Sequence, residues 1–231
     1  MTRIFLIIAC LFLPAQVLAG AWPREPGGVF LSLSAERDRD NNHHTGLYAE
    51  YGLSARRTLG VELGHTRGEQ TVLVWMQHAF GDDSARHRWS VMAGSGVIRR
   101  GEHWLPHGQL GASWGRGFQG IAQGGWLSAD SRLGITGKLR EEWDIAANGG
   151  PYLTPETMAK LNLTAGLRLD TSWMVINQLR LEHRDDSGFS SRLAVSVVRD
   201  LAGPAKLELG AIQPLSGQGE RAIKLGTWLE F

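Results

Sequence analysis

Hydrophobic and polar positions alternate with a period of two along most of the chain. Val29, Leu31, Leu33 and Ala35 fall on one parity, and Phe30, Ser32, Ser34 and Glu36 on the other. Such alternation marks a β-strand with one apolar face. It recurs as Leu47, Ala49, Tyr51 and Leu53 against Tyr48, Glu50 and Gly52, then as Leu59, Val61 and Leu63 against Gly60, Glu62 and Gly64. The stretch TVLVWMQHAF (71–80) is apolar on both parities, so its faces stay unassigned. RWSVMAGSGV, HGQLGASW, GGWLSADSRLGIT, AKLNLTAGLRL, SWMVINQLRLEH, SRLAVSVVR and AKLELGAI follow. The last segment sets Ile223, Leu225, Thr227, Leu229 and Phe231 against Ala222, Lys224, Gly226, Trp228 and Glu230. This predicts twelve strands, most near the roughly 9–11 residues that cross a bilayer with tilt. Moving one boundary would give ten or fourteen.

The gaps are asymmetric. SARR, DT and DLAGP are short, whereas RDRDNNHH, RRGEHWLP, RDDSGFS and KLREEWDIAANGGPYLTPETM are longer. With an even strand count both termini lie at one end, and the short gaps share that end. Short turns at the terminal end and longer loops opposite predict an up-and-down transmembrane β-barrel with periplasmic termini.

The N-terminus fits export. Arg3, the apolar stretch from Ile4 to Leu13, Pro14 and the small-residue pattern ending at Ala19 read as a secretory signal peptide, cleaved after Ala19 or alternatively after Ala21. The apolar stretch is too short for a spanning helix. The expected organisation is a signal peptide over 1–19 and one barrel domain over 20–231. Cys10 is the only cysteine and leaves with the signal, which excludes disulfides, thiolate metal sites and a cysteine nucleophile. Lys+Arg is 24 and Asp+Glu 23; loss of Arg3 leaves 23 of each, and that balance argues against a nucleic-acid partner. Trp89, Trp114, Trp126, Trp173, Trp228, Phe80 and Phe231 fall at the terminal ends of predicted strands, as in an interfacial aromatic belt, although Trp126 and Trp228 sit on the inward parity.

At its C-terminus the chain resembles bacterial outer-membrane β-barrels. The alternate apolar positions running back from Phe231 are similar to the C-terminal signal of that class, and AWPREPGGVFLSLS resembles the mature start of such barrels. The resemblance implies that Leu225, Thr227, Leu229 and Phe231 are read by the barrel-assembly machinery, and that outer-membrane lipid surrounds the protein. A soluble β-sandwich is the alternative fold.

With the apolar parity facing lipid, the lumen receives Glu36, Glu50, Glu62, Asp130, Arg132, Lys160, Asn162, Arg168, Gln178, Arg180, Glu182, Arg192, Lys206, Glu208, Lys224 and Glu230. Strands 1–3 supply mostly acids and strands 8–12 mostly bases. Closure of the barrel would bring Lys224 towards Glu36 or Glu50. Opposed charged walls predict a narrow passive channel for small polar or charged solutes; fully paired charges would instead give a plugged structural or surface-interaction barrel. The inward glycines leave room in such a lumen.

Other chemistry is weakly signalled. His43, His44, His65, His103, His107 and His183 are placed at or beyond the rim opposite the termini, with no spacing that fixes a metal geometry, so neither metal nor cofactor is expected. Outer-membrane phospholipases carry a His and a Ser two apart on one strand face. Here His-x-Ser is absent, His87 and Ser90 are three apart, and Ala93-Gly94-Ser95-Gly96 lacks the first glycine of a nucleophile elbow. His183, Asp185, Asp186 and Ser187 form a loop cluster without an oriented triad. A lipid-modifying enzyme ranks third, behind the channel and the plugged barrel.

Overall fold

The computed structural model describes residues 20–81, 85–140 and 152–231. The predicted signal peptide therefore lies outside the described residues. Twelve strands run in order: β1 Val29–Asp38, β2 His43–Ser54, β3 Arg57–His65, β4 Glu69–Phe80, β5 His87–Arg100, β6 His103–Phe118, β7 Gly125–Arg140, β8 Tyr152–Arg168, β9 Trp173–Arg184, β10 Gly188–Asp200, β11 Ala205–Ser216 and β12 Ala222–Glu230. Each pairs antiparallel with its sequence neighbours, and β1 pairs with β12, closing an up-and-down barrel. The seam is tied at its end by reciprocal bonds: the Val29 N–H donates to the Phe231 carbonyl (3.0 Å) and the Phe231 N–H to the Val29 carbonyl (2.9 Å). The all-β class, the twelve strands and their meander order are as the alternation predicts.

Side-chain direction follows parity. Leu33, Leu110, Leu133, Leu209, Ile223 and Leu225 are exposed on the outside, forming an apolar coat. Their sequence neighbours point inward. The register also settles β4: Leu73, Trp75, Gln77 and Ala79 are buried inside, while Val72, Val74, Met76 and Phe80 are exposed outside. Trp89 and Trp173 are exposed near the terminal end with Phe231, whereas Trp126 and Trp228 are buried in the interior.

Two expectations need correction. The first concerns loop lengths. The distal connections are 39–42, 66–68, 101–102, 185–187 and 217–221, and the terminal ones are 55–56, 81–86, 119–124, 169–172 and 201–204. Apart from 141–151, which lie outside the described residues, the distal connections are no longer than the terminal ones. Polar residues read as loop instead continue the ladder: RRGEHWLP turns over 101–102 alone, with Gly101 at φ 59°, and Arg99 pairs with Trp104 and Arg100 with His103. A strand needs backbone partners, and these persist after the apolar coat ends.

The second correction concerns the inward glycines. They do not simply leave room: a Cβ at Gly60 would collide with the Trp75 ring, and one at Gly166 with the Trp126 ring. Each is the cross-strand neighbour of the indole it accommodates. The space is used for packing. Phe30, Trp126, Met174, Val198 and Trp228 form a buried cluster near the terminal end, joined by Trp22, Tyr48 and Ile176.

Candidate functional site: the charged barrel interior

Above that cluster the interior is ionic. Glu36 on β1 and Arg180 on β9 meet across the barrel at 2.9 Å, and Glu62 on β3 meets Arg132 on β7 at 3.0 Å. None of these strands are neighbours, so the contacts bridge the lumen rather than run along the wall. Arg100 on β5 holds both oxygens of Glu156 on β8 (2.9 and 2.8 Å) and also binds Glu69 on β4 (2.8 Å). Arg184 on β9 reaches the same Glu69 carboxylate at 3.2 Å. The fork of a guanidinium suits such two-oxygen contacts.

Other pairs lie along the wall. Glu182 receives Lys160 (3.8 Å), Arg184 (3.7 Å) and Arg192 (3.4 Å). Lys206 bridges Glu230 (3.1 Å) and Asp200 (3.5 Å). Lys224 is the register partner of Glu36, yet its ammonium binds Glu208 at 2.7 Å. Glu36 turns to Arg180 instead, and Glu50 is held by Arg24 and by the Tyr48 hydroxyl, which donates at 2.6 Å. Arg168 stands at the terminal end of β8, paired in register with Met174. Asp130 faces inward from β7, and its Oδ2 accepts from Ser128 Oγ at 3.1 Å. The glutamates of β1–β4 are each met by an arginine from elsewhere in the barrel, so most of a field between an acidic and a basic wall is cancelled by pairing.

The segment before β1 is the feature that strand periodicity does not reveal. Residues 20–24 fold into the barrel at its terminal end, and 25–28 lead from them to β1. The Arg24 guanidinium contacts Glu50 and Glu230 (3.4 Å to the latter), lies over the Phe30 ring at 4.3 Å, and its backbone N–H donates to Thr58 Oγ1 at 2.9 Å. Ala21 is fully buried, the Trp22 ring lies against Gly115, and the Gly20 carbonyl accepts from Ser90 Oγ at 3.1 Å. A cavity of about 240 Å³ remains between this segment and the ion pairs, lined in part by Tyr48, Asp130, Arg132, Asn162, Gln178 and Arg180.

Sequence reading missed several members of this interior. Glu69 belongs to the strand whose faces were unassigned. Arg100, Glu156 and Arg184 lie in polar stretches that read as loop, and Arg24 precedes the alternation. Extending each parity by two or three residues past the last apolar position finds all but Arg24.

The histidines are dispersed. His107 is not at the rim but inside, 4% exposed, with Nδ1 2.8 Å from Thr136 Oγ1. It lies on the inward parity of β6, which begins earlier than its apolar pattern suggests. Among the described residues no cluster of three metal-ligating side chains occurs. His183 takes the outward parity of β9, in register with Phe189, and Ser187 Oγ donates to Asp186 at 3.0 Å, so these groups form no His–Ser relay.

Asp185, in the 185–187 turn, accepts from both the backbone N–H (2.6 Å) and the hydroxyl (2.8 Å) of Thr157, and these bonds hold its carboxyl below the usual carboxylate range. A depressed folded pKa means that the tether is complete above the unfolded value of about 3.9 and is lost as pH falls through the lower folded one. The Thr157 amide resonance is therefore expected to titrate with a midpoint below that of an unfolded Asp, and Asp185→Asn should abolish the titration. A midpoint at or above the unfolded value would refute the tether.

No family model and no curated protein matches the chain in sequence. Solved structures do match it in shape. The NanC porin superposes with a TM-score of 0.59 at 11% identity, over 87% of this chain and 100% of that one. The β-domain of the Bordetella autotransporter BrkA gives 0.54 at 16% identity, over 90% and 100%. The KdgM porin gives 0.52 at 9% identity, over 87% and 99%. The fold is that of an outer-membrane β-barrel. At these identities the likeness is one of architecture, and it covers the whole of each matched chain.

Proposed function

We propose that the protein spans the outer membrane and passes small polar or charged solutes passively through a narrow lumen. The observation that carries this reading is the chemistry of the interior: ion pairs between non-adjacent strands, each between flexible side chains, border a cavity. Charges are costly in hydrocarbon and are retained where they face water or one another. Bridges of this kind open by side-chain rotation without moving a strand. The apolar coat supports residence in lipid, and the outward-facing alternate residues Leu225, Thr227, Leu229 and Phe231 remain available for recognition by the assembly machinery.

A second reading, a plugged barrel without transport, is favoured by one observation, the seating of residues 20–24 in the terminal end. Single-channel recording in a planar bilayer separates the two, after heat-modifiable gel mobility has established folding. The channel reading expects small, reproducible current steps. Protein that folds and inserts but stays silent at all voltages would overturn it in favour of the plug.

A further inference from the structure

Asp130 is out of keeping with the other interior acids. Every described glutamate on an inward strand face has an arginine or lysine within ion-pair distance. Asp130 has no such cation among the described residues. Its Oδ2 accepts from Ser128, while its buried Oδ1 has no hydrogen-bond partner among them. Burying a carboxylate oxygen unpaired is costly, and the cost is relieved by a cation with hydrogen bonds to offer.

What lies against that oxygen is Gly20. A Cβ at position 20 would collide with the Asp130 carboxylate, so the backbone of residue 20 is in contact with it. The Gly20 carbonyl is fixed by Ser90 Oγ, and Ala21 beyond it is buried. The nitrogen of Gly20 is one bond, about 1.46 Å, from that Cα.

We propose that Asp130 is the binding site for the chain's own processed N-terminus. The proposal rests on the signal-peptide reading of residues 1–19, and it goes beyond the channel reading without needing it. Hydrolysis of the Ala19–Gly20 bond adds water across it, leaving a carboxylate on Ala19 and an ammonium on Gly20. That ammonium supplies three donors and a charge at the orphan oxygen. Processing at this bond thus creates the cation that Asp130 lacks and anchors residues 20–24 inside the barrel. It also explains a glycine at position 20, since any side chain would take the carboxylate's place. Cleavage after Ala21 would put the new terminus on Trp22 and leave Asp130 unpaired.

The test uses protein purified from outer membranes after export. Intact mass is expected to correspond to a chain starting at Gly20. The folded protein is then treated near pH 7 with an acylating reagent selective for α-amines, and the N-terminal peptide is quantified after unfolding. An ion-paired ammonium should label at least about tenfold more slowly than in heat-unfolded protein, the equivalent of one pKa unit. Asp130→Asn should restore fast labelling while heat-modifiable mobility is kept. A mass starting at another residue overturns the proposal. So does wild-type labelling as fast folded as unfolded, or protection that persists undiminished in Asp130→Asn. Should Asp130→Asn fail to fold, Ser90→Ala, which frees the Gly20 carbonyl, is expected to raise labelling partway; no rise overturns the anchored geometry. Because the readout is chemical, a silent barrel would sink the channel and leave this result standing.

Discussion

Replacing Arg132 and Arg180 together by glutamate is expected to raise conductance and make the lumen strongly cation-selective. Each substitution changes the charge by −2, so the pair changes the lumen by −4. Arg180 is 2.9 Å from Glu36 and Arg132 is 3.0 Å from Glu62, both across the barrel. After reversal each bridge becomes two facing carboxylates. At about 4 Å such a pair repels by roughly 1 kcal/mol in bulk water and about 4 kcal/mol at the effective dielectric of a partly screened protein site. The side chains should withdraw to opposite walls and open the path that the bridges close. In a tenfold salt gradient the reversal potential should then move most of the way to the roughly 59 mV that one charge and a tenfold ratio imply. High salt should weaken the effect, since the Debye length falls to about 3 Å at 1 M. Larger current with no shift in reversal potential would place the conducting path away from these four residues.

Lys224→Met is expected to cost about 3–5 kcal/mol in unfolding free energy, the usual penalty for removing one partner of a buried pair. Glu208 is only 3% exposed, and after the loss of Lys224 the Trp228 indole N–H, 3.2 Å away, is its remaining side-chain hydrogen-bond partner among the described residues. Adding Glu208→Gln should recover most of the loss. The amide stays neutral and keeps an oxygen for Trp228. Urea unfolding followed by tryptophan fluorescence reads the four corners of this double-mutant cycle. If Lys224→Met and the double variant unfold at the same urea concentration, the cost does not come from a stranded carboxylate.

How much of this was legible follows from which interactions are local. Strand identity and facing are period-two properties, so β1–β3 and β12 can be read from a few residues each. In β4, Leu73 and Trp75 on the inward side are as apolar as Val72 and Val74 outside, because the interior there packs the Trp75 indole against Gly60 and Gly94. Hydropathy then carries no facing signal. Charged residues at the ends of β5, β6 and β9 look like loop, yet Arg100 binds Glu156 and Arg184 binds Glu69 across the lumen. The entry of residues 20–24 into the barrel depends on Ser90, Gly115 and Asp130, all far away in sequence. No local pattern encodes it. The surviving clue was the unusual run WPREPGG, which a strand does not need.

The reciprocal bonds between Val29 and Phe231 give the barrel an uneven kinetic character. Every other seam joins strands adjacent in sequence, and each can zip from its own turn. The β1–β12 seam must bring together residues 202 positions apart. For a flexible chain, the length-dependent part of that loop-closure entropy is about 5 kcal/mol. The eleven hairpin seams can therefore grow one upon another into a curved open sheet, and the last of the twelve is the slow step. Until it forms, β1 and β12 both present unpaired edges, the form most open to pairing with another chain. Speed of closure, more than final stability, then decides how much of the chain ends as a closed barrel rather than paired edge to edge.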